Sequence, residues 1–182
     1  PIGAGTVYRR LAWRCALAID ADRIASLFLP HQFACCVPGG VEFCHHIVRI
    51  AGELFDGAEI PHVKISADAS NFFNEVDRAA ILEEVSQHLE TWLSACEMEL
   101  GPESHLVVRL SDGGAELLVS SCGLQQGDVP AMILACLPLA RVVEQLQSEF
   151  PGHTIVGYGD DQYLIGGGSD TGAAFDRLVE LG

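Results

Sequence analysis

The chain has 182 residues, 25 of them acidic against 10 basic, and a net charge of −15, which is the wrong sign for gripping a polyanion through overall surface charge. Its length favours one domain with a sizeable core. No apolar run reaches the roughly 18 to 20 residues of a membrane span, and seven cysteines, odd in number and with no Cys-x-x-Cys pair, argue against a zinc site or a disulfide framework.

In chain order, a short turn leads into a helix that ends at Pro30. Val7, Leu11, Cys15 and Ala18 recur at helical spacing, with Arg9, Arg10 and Arg14 on other faces. Residues 31 to 40 read as a loop closing on Pro38-Gly39-Gly40, and a second helix covers about Val41 to Leu54. A strand follows from His62 to Ala67. A single helix is expected over about Arg78 to Cys96, with Ile81, Leu82, Val85, Leu89, Trp92 and Leu93 as its apolar stripe. Strands His105 to Leu110 and Ala115 to Ser120 flank the hairpin signature Asp112-Gly113-Gly114. A helix from about Pro130 to Phe150 comes next, then strands Thr154 to Tyr158 and Gln162 to Ile165 around Gly159-Asp160-Asp161. Ser169 is positioned to cap a last helix running to Leu181. The class is α+β, and the β-α-β-β-α-β order predicts one sheet of the ferredoxin-like kind. The chain opens on Pro1 with neither an initiator Met nor a signal peptide, so it reads as a soluble intracellular piece of a longer polyprotein, of unknown oligomeric state.

The residues that carry chemistry are Asp68, at the end of an apolar strand, and Asp160-Asp161, at the tip of a hairpin. Adjacent carboxylates repel one another, and a cation relieves that repulsion. Magnesium takes oxygen ligands and keeps some of its waters, so a few carboxylates plus substrate phosphates suffice to hold it. Arg9, Arg10 and Arg14 are the candidates for phosphate or template contacts, because guanidinium forks match phosphate oxygens. Lys64 shares a strand face with Asp68 and is expected to form an ion pair, and Asp128 is expected to cap the helix after it.

Three blocks in order carry a resemblance: Asp68-Ala69-Ser70-Asn71-Phe72-Phe73-Asn74, Gly123-Leu124-Gln125-Gln126-Gly127-Asp128 and Tyr158-Gly159-Asp160-Asp161. They resemble motifs A, B and C of the reverse transcriptase palm, in particular that of non-LTR retrotransposons. Pro1 to Arg10, His31-Gln32-Phe33 and Val37 to Glu42 extend the likeness into the fingers. Two departures stand out. Val129-Pro130-Ala131-Met132 replaces the family's Pro-Leu-Gly-Pro, and Ala67 and Ala69 replace larger aliphatic residues.

The resemblance implies a right-hand polymerase palm at 59–182, a partial, mainly helical fingers segment at 1–58, and no thumb. It implies an RNA-directed DNA polymerase that joins a primer 3′-hydroxyl to the α-phosphate of a deoxynucleotide. Its cofactor would be two Mg2+ ions, or Mn2+, held by Asp68, Asp160, Asp161 and the Ala69 carbonyl. Phe73, five residues after Asp68, resembles a steric gate against ribose, while Gln126 and Gly127 would lie beside the incoming nucleotide. The implied partners are an RNA template, a DNA primer and deoxynucleoside triphosphates, with no membrane; the implied location is nuclear if the chain comes from a non-LTR element. The competing reading is a decayed or domesticated copy that acts as a non-catalytic interaction domain, which the acidity favours. An RNA-binding module would need paired exposed aromatics on its central strands, and neither His62 to Ala67 nor His105 to Leu110 has any.

Overall fold

The computed structural model describes residues 6–181, apart from the side chains of Ser104 and Leu106. Residues 1–5 of the expected fingers segment lie outside that range. The elements are α1 (Val7–Phe28), α2 (Gly40–Gly57), β1 (His62–Asp68), α3 (Phe72–Glu75), α4 (Arg78–His88), α5 (Leu93–Leu100), β2 (Ser104–Arg109), β3 (Ala115–Ser120), α6 (Ala131–Glu149), β4 (Thr154–Tyr158), β5 (Asp161–Gly167) and α7 (Thr171–Leu181). Mixed α+β architecture is therefore as expected. Among the described residues no helix is long and apolar enough to cross a membrane.

The strands do not form one sheet. β5 is the centre of an antiparallel sheet of order β1-β5-β4, whereas β2 and β3 pair only with each other. The sheet expected to be continuous is thus a three-stranded sheet plus a separate hairpin. The hairpin turns on Asp112, whose carboxylate accepts from the Gly114 N–H at 2.8 Å, with Gly113 at φ 87°.

Both faces of the larger sheet are covered over β4 and β5, while every residue of β1 is at least partly exposed. Val156 and Ile165 pack with Cys44, Val48 and Ala51 of α2 and with Phe33. On the opposite face Ile155 and Leu164 pack with Val143 and Leu146 of α6 and Ala174 of α7. A third cluster lies among the helices, where Trp13, Ile24 and Phe28 of α1 meet Ile81, Val85, Leu89, Trp92, Cys96 and the first turns of α6. Trp13 and Trp92 meet edge to face at 5.1 Å, and their indole N–H groups donate to Glu99 and Asp20.

Four local expectations need correction. The apolar repeat read in α1 lies on its solvent side: Val7, Leu11, Cys15 and Ala18 are exposed, and the helix docks through Trp13, Ile24 and Phe28. The helix expected over Arg78 to Cys96 breaks at Leu89, which leaves helical geometry at φ −137° and ψ 51°, and a 3-10 turn at Glu90–Trp92 precedes α5. Nothing in the local sequence explains that break, and Ile81, Val85, Leu89 and Trp92 are still buried as the stripe requires. The last helix starts at Thr171 instead of directly after Ser169, with the Asp170 carbonyl accepting its first bond, from Ala174. Lys64 lies 5.5 Å from the Tyr163 ring centroid, a cation–π contact in place of the expected ion pair.

Candidate active site

The site is set by strand register. Asp68, the last residue of β1, pairs with Asp161, the first residue of β5, and Tyr158 pairs with Asp161 from the other side. Residues directly opposite in antiparallel strands share a face, with Cβ atoms about 5 Å apart. The Asp68 and Asp161 side chains therefore emerge together at one end of the sheet, and both are exposed. Asp160 is half-buried in the turn before them, and the Ala69 N–H lies 3.4 Å from its carbonyl. The strand pair thus brings Asp68 and Asp161 to one end of the sheet, with Asp160 in the adjoining turn. Alongside them, burial pushes the Cys44 thiol of α2 up, and the Asp161 carboxylate adds to that shift.

The segment after Asp68 is folded back by a left-handed Asn71 (φ 53°) and the single turn of α3. Phe72 packs against the helical core, while Phe73, edge to face with it at 5.4 Å, is half-buried and joins none of the buried clusters among the described residues. The Gln126 block is tied to this turn. Leu124 donates its N–H to the Phe73 carbonyl and Gly123 donates to Val76 at 3.0 Å. Gly123 has φ 70°, and a Cβ there would sit 2.2 Å from the Asn74 carbonyl oxygen, so only glycine permits the approach. Gln126 and Gly127 are exposed beyond this anchor, with Gly127 at φ 94°. Met132, in the first turn of α6, would lie 3.3 Å from a Cβ built on Gly159. The Asp68 block therefore links the other two: it pairs with the β4–β5 turn through Asp161 and holds the Gln126 block through Phe73 and the nearby Val76.

Arg9 is half-buried and engaged with carboxylates. Its Nε and Nη2 form a fork on Glu99 at 2.7 and 2.9 Å, and Nη2 also bonds the Asp128 carboxylate. Those hydrogen bonds to Glu99 raise its already high pKa. Expected to meet phosphate, Arg9 instead holds two carboxylates, and Asp128 serves as its partner while Pro130 occupies the cap position of α6. Arg10 and Arg14 are exposed, and among the described residues neither makes an ion pair or side-chain hydrogen bond.

Two residues of this site had no assigned role in the sequence. Arg78 donates to the carbonyls of Gly123 (2.9 Å) and Ser120 (3.1 Å) and so ties the hairpin to the Gln126 block. Gln32, 5% exposed, reaches the β4–β5 turn: its Oε1 accepts from the Gly159 N–H at 2.7 Å and its Nε2 donates to the Gly159 carbonyl at 2.9 Å. Nothing in a one-dimensional pattern links two residues so far apart.

The donor set is all oxygen: the Asp68, Asp160 and Asp161 carboxylates and the Ala69 carbonyl, which also accepts from Phe72 at 3.3 Å. Among the described residues no three His, Cys, Asp or Glu side chains are gathered closely enough to hold a metal by themselves. Asp68 and Asp161 together offer the one or two carboxylates that a magnesium ion takes from protein when waters and substrate phosphates supply the rest. To that extent the residues fit a hard divalent cation.

No protein-family model matches the sequence, and no curated protein matches it either. Solved structures do resemble it in fold. Apo telomerase from Candida tropicalis, truncated from its C-terminal domain, aligns at TM-score 0.67 and 13% identity over 94% of this chain and 37% of its own. Telomerase from Candida tropicalis in complex with a TWJ fragment of telomeric RNA aligns at TM-score 0.67 and 13% identity, covering 93% of this chain and 31% of that one. The Candida albicans telomerase with a TWJ fragment of telomeric RNA gives 0.65 at 10% identity, covering 89% and 32%. At these identities the likeness is one of fold, and this chain spans about a third of those proteins.

Proposed function

We propose that this chain is the catalytic-core segment of an RNA-directed DNA polymerase, and that residues 59–182 act as a palm and residues 1–58 as part of the fingers. The observation that carries the reading is the β1–β5 register, which sets Asp68 against Asp161 beside Asp160, with the Gln126 block tied to the segment that follows Asp68. The fold shared with part of telomerase supports it. The reaction is attack of a primer 3′-hydroxyl on the α-phosphate of a deoxynucleoside triphosphate, with pyrophosphate leaving and an RNA strand as template.

Within that reading, Asp68, Asp160, Asp161 and the Ala69 carbonyl hold divalent metal. A bound Mg2+ or Mn2+ pair supplies charge stabilisation to the attacking and leaving oxygens of the in-line displacement. Phe73, outside the buried clusters, is free to present its ring to the sugar and to exclude a 2′-hydroxyl. Gln126 and Gly127 line the nucleotide side, where the glutamine amide can bond sugar or phosphate oxygens and the glycine permits close backbone approach. Arg10 and Arg14 take the phosphate role, and Arg9 braces Asp128 below the loop. Retroelement origin and a nuclear setting belong to the same proposal, as do the primer and nucleotide partners.

A second reading is favoured by the net charge of −15 and by the commitment of Arg9 to carboxylates. It makes the chain a decayed copy that binds partners without catalysis. One experiment separates the two: thermal unfolding with and without Mg2+ or Mn2+, comparing the chain with Asp160→Asn. The polymerase reading expects metal to stabilise the parent chain, by about 2.7 kcal/mol at a hundredfold excess over Kd, and to leave the variant unmoved. Equal stabilisation of both, or none of either, removes the metal assignment and favours the second reading.

A further inference from the structure

We infer that Gln32 is a positioning residue for the Asp160-Asp161 turn, an inference that rests on the proposed metal site. Gln32 lies outside the three sequence blocks, on the loop between α1 and α2, yet both ends of its amide bond to that turn. Oε1 accepts from Gly159 at 2.7 Å and from Ala34 at 3.1 Å, and Nε2 donates to the Gly159 carbonyl at 2.9 Å. The peptide groups on both sides of one residue's Cα are therefore gripped by one side chain, immediately before the two aspartates.

The backbone around Gln32 reinforces the grip. Phe33 donates to the Gly157 carbonyl at 2.9 Å and Gly157 donates to the His31 carbonyl at 2.7 Å, so residues 31–33 lie alongside β4 as a short parallel bridge. His31 Nδ1 adds a contact of 2.8 Å to the Ile155 carbonyl. Gly159 itself sits at φ 68°, a left-handed conformation that glycine adopts without steric penalty and so does little to restrict. What fixes it is the pair of hydrogen bonds from Gln32, aided by Gln162 Nε2 at 3.0 Å on the same carbonyl. Without Gln32 the Gly159 N–H loses its partner in a buried setting and the turn gains freedom to move. A shift of about 1 Å is enough to spoil a coordination geometry that tolerates only about 0.5 Å.

The test compares the parent chain with Gln32→Met, which fills the space without the amide, with Gln32→Glu, which keeps the Oε1 acceptor, and with Thr171→Val. Thr171 is also buried and donates to the Gly167 carbonyl at 2.8 Å, at the opposite end of β5, so its loss reports general weakening of the sheet. Two readouts are taken at matched folded population: amide hydrogen exchange at Gly159, Asp160 and Asp161, and the affinity for Mn2+ followed by its paramagnetic signal. Gln32→Met should raise exchange at those three amides at least tenfold, leave Leu164 and Ile165 within twofold, and weaken Mn2+ at least tenfold. Gln32→Glu, which keeps the acceptor for the Gly159 N–H and loses only the donor, should raise exchange there less than Gln32→Met does, and Thr171→Val should change neither readout.

Unchanged exchange at residues 159–161, or a rise matched in Thr171→Val, overturns the inference. So does unchanged Mn2+ affinity when the parent binds the ion and Asp160→Asn does not. If the parent itself shows no Mn2+ response that Asp160→Asn abolishes, the metal reading fails separately and the exchange data alone decide the role of Gln32. If both Gln32 variants fail to fold while Thr171→Val folds, Gln32 is structural and the inference falls.

Discussion

The β1-β5-β4 sheet and the β2–β3 hairpin are written in similar residues and live in opposite environments. In the sheet, Ile155, Val156, Leu164 and Ile165 are at most 4% exposed. In the hairpin, Val107, Leu117 and Val119 are 68%, 60% and 55% exposed, and Val108 and Leu118 on the other face are also open. Apolar, β-branched composition therefore predicts that a segment is extended, and says little about what covers it. Cover comes from the partners: α2 on one face of the sheet, α6 and α7 on the other, and neither face of the hairpin among the described residues.

The largest test of that contrast is truncation of an apolar side chain in each region. Leu164→Ala should cost about 2–5 kcal/mol, because it opens a cavity between β5 and the α6–α7 layer. Leu117→Ala should stay within about 0.5 kcal/mol, as for other surface changes. Urea unfolding measures both, and similar costs would break the distinction.

Next in size is the tether. Arg78→Ala removes the donors that hold Ser120 and Gly123, and should lower stability by about 1 kcal/mol. Exchange should speed up in β2 and β3 and stay constant in β4 and β5. Uniform acceleration across both regions would show that the hairpin and the sheet open as one unit.

The smallest effect concerns the helices that cover the sheet. Arg177 of α7 forms a fork on Glu149 at the end of α6, at 2.8 and 3.1 Å, and that contact, helped by a hydrogen bond from Gln145, lowers the Glu149 pKa to about 2. A carboxylate whose folded pKa is depressed adds stability above its unfolded value and loses it as pH falls through the folded one. The difference in melting temperature between the parent and Arg177→Ala should be steady at neutral pH and shrink between pH 4.5 and about 2. A difference that persists unchanged at the acid end would assign the effect to packing of the arginine stem.

Much of this contrast was hidden in the sequence for identifiable reasons. β3 and β4 start and end where alternation and turn residues place them, and Asp112-Gly113-Gly114 correctly marks the hairpin. Pairing partners beyond the hairpin carry no such local signal, so one continuous sheet looked as reasonable as a sheet and a separate ribbon. α1 carries two apolar stripes, one through Val7, Leu11 and Cys15 and one through Trp13, Leu17, Ile24 and Phe28, and periodicity cannot choose between them. The buried stripe also contains Asp20, which looks polar until Trp92 supplies its indole N–H. At the candidate site, strand ends and hairpin tips are legible, but it is the resemblance of the three ordered blocks that marks Asp68 and Asp160-Asp161 as a group. The commitment of Arg9 to Glu99 and Asp128, and of Gln32 to Gly159, joins residues 90, 119 and 127 positions apart. Contacts of that range appear only once the chain is folded.

The Gln32 clamp also sets an order of assembly. Its partners are 127 positions apart, so it closes only after every residue from 32 to 159 has been made. During synthesis from the N-terminus, the loop at residues 31–33 emerges long before β4 exists to receive it. Cutting the chain anywhere between Phe33 and Gly157 leaves a buried amide without its partner on the same polypeptide. The aspartate turn therefore cannot be clamped until Gly159 has been made, although the loop that clamps it is made early.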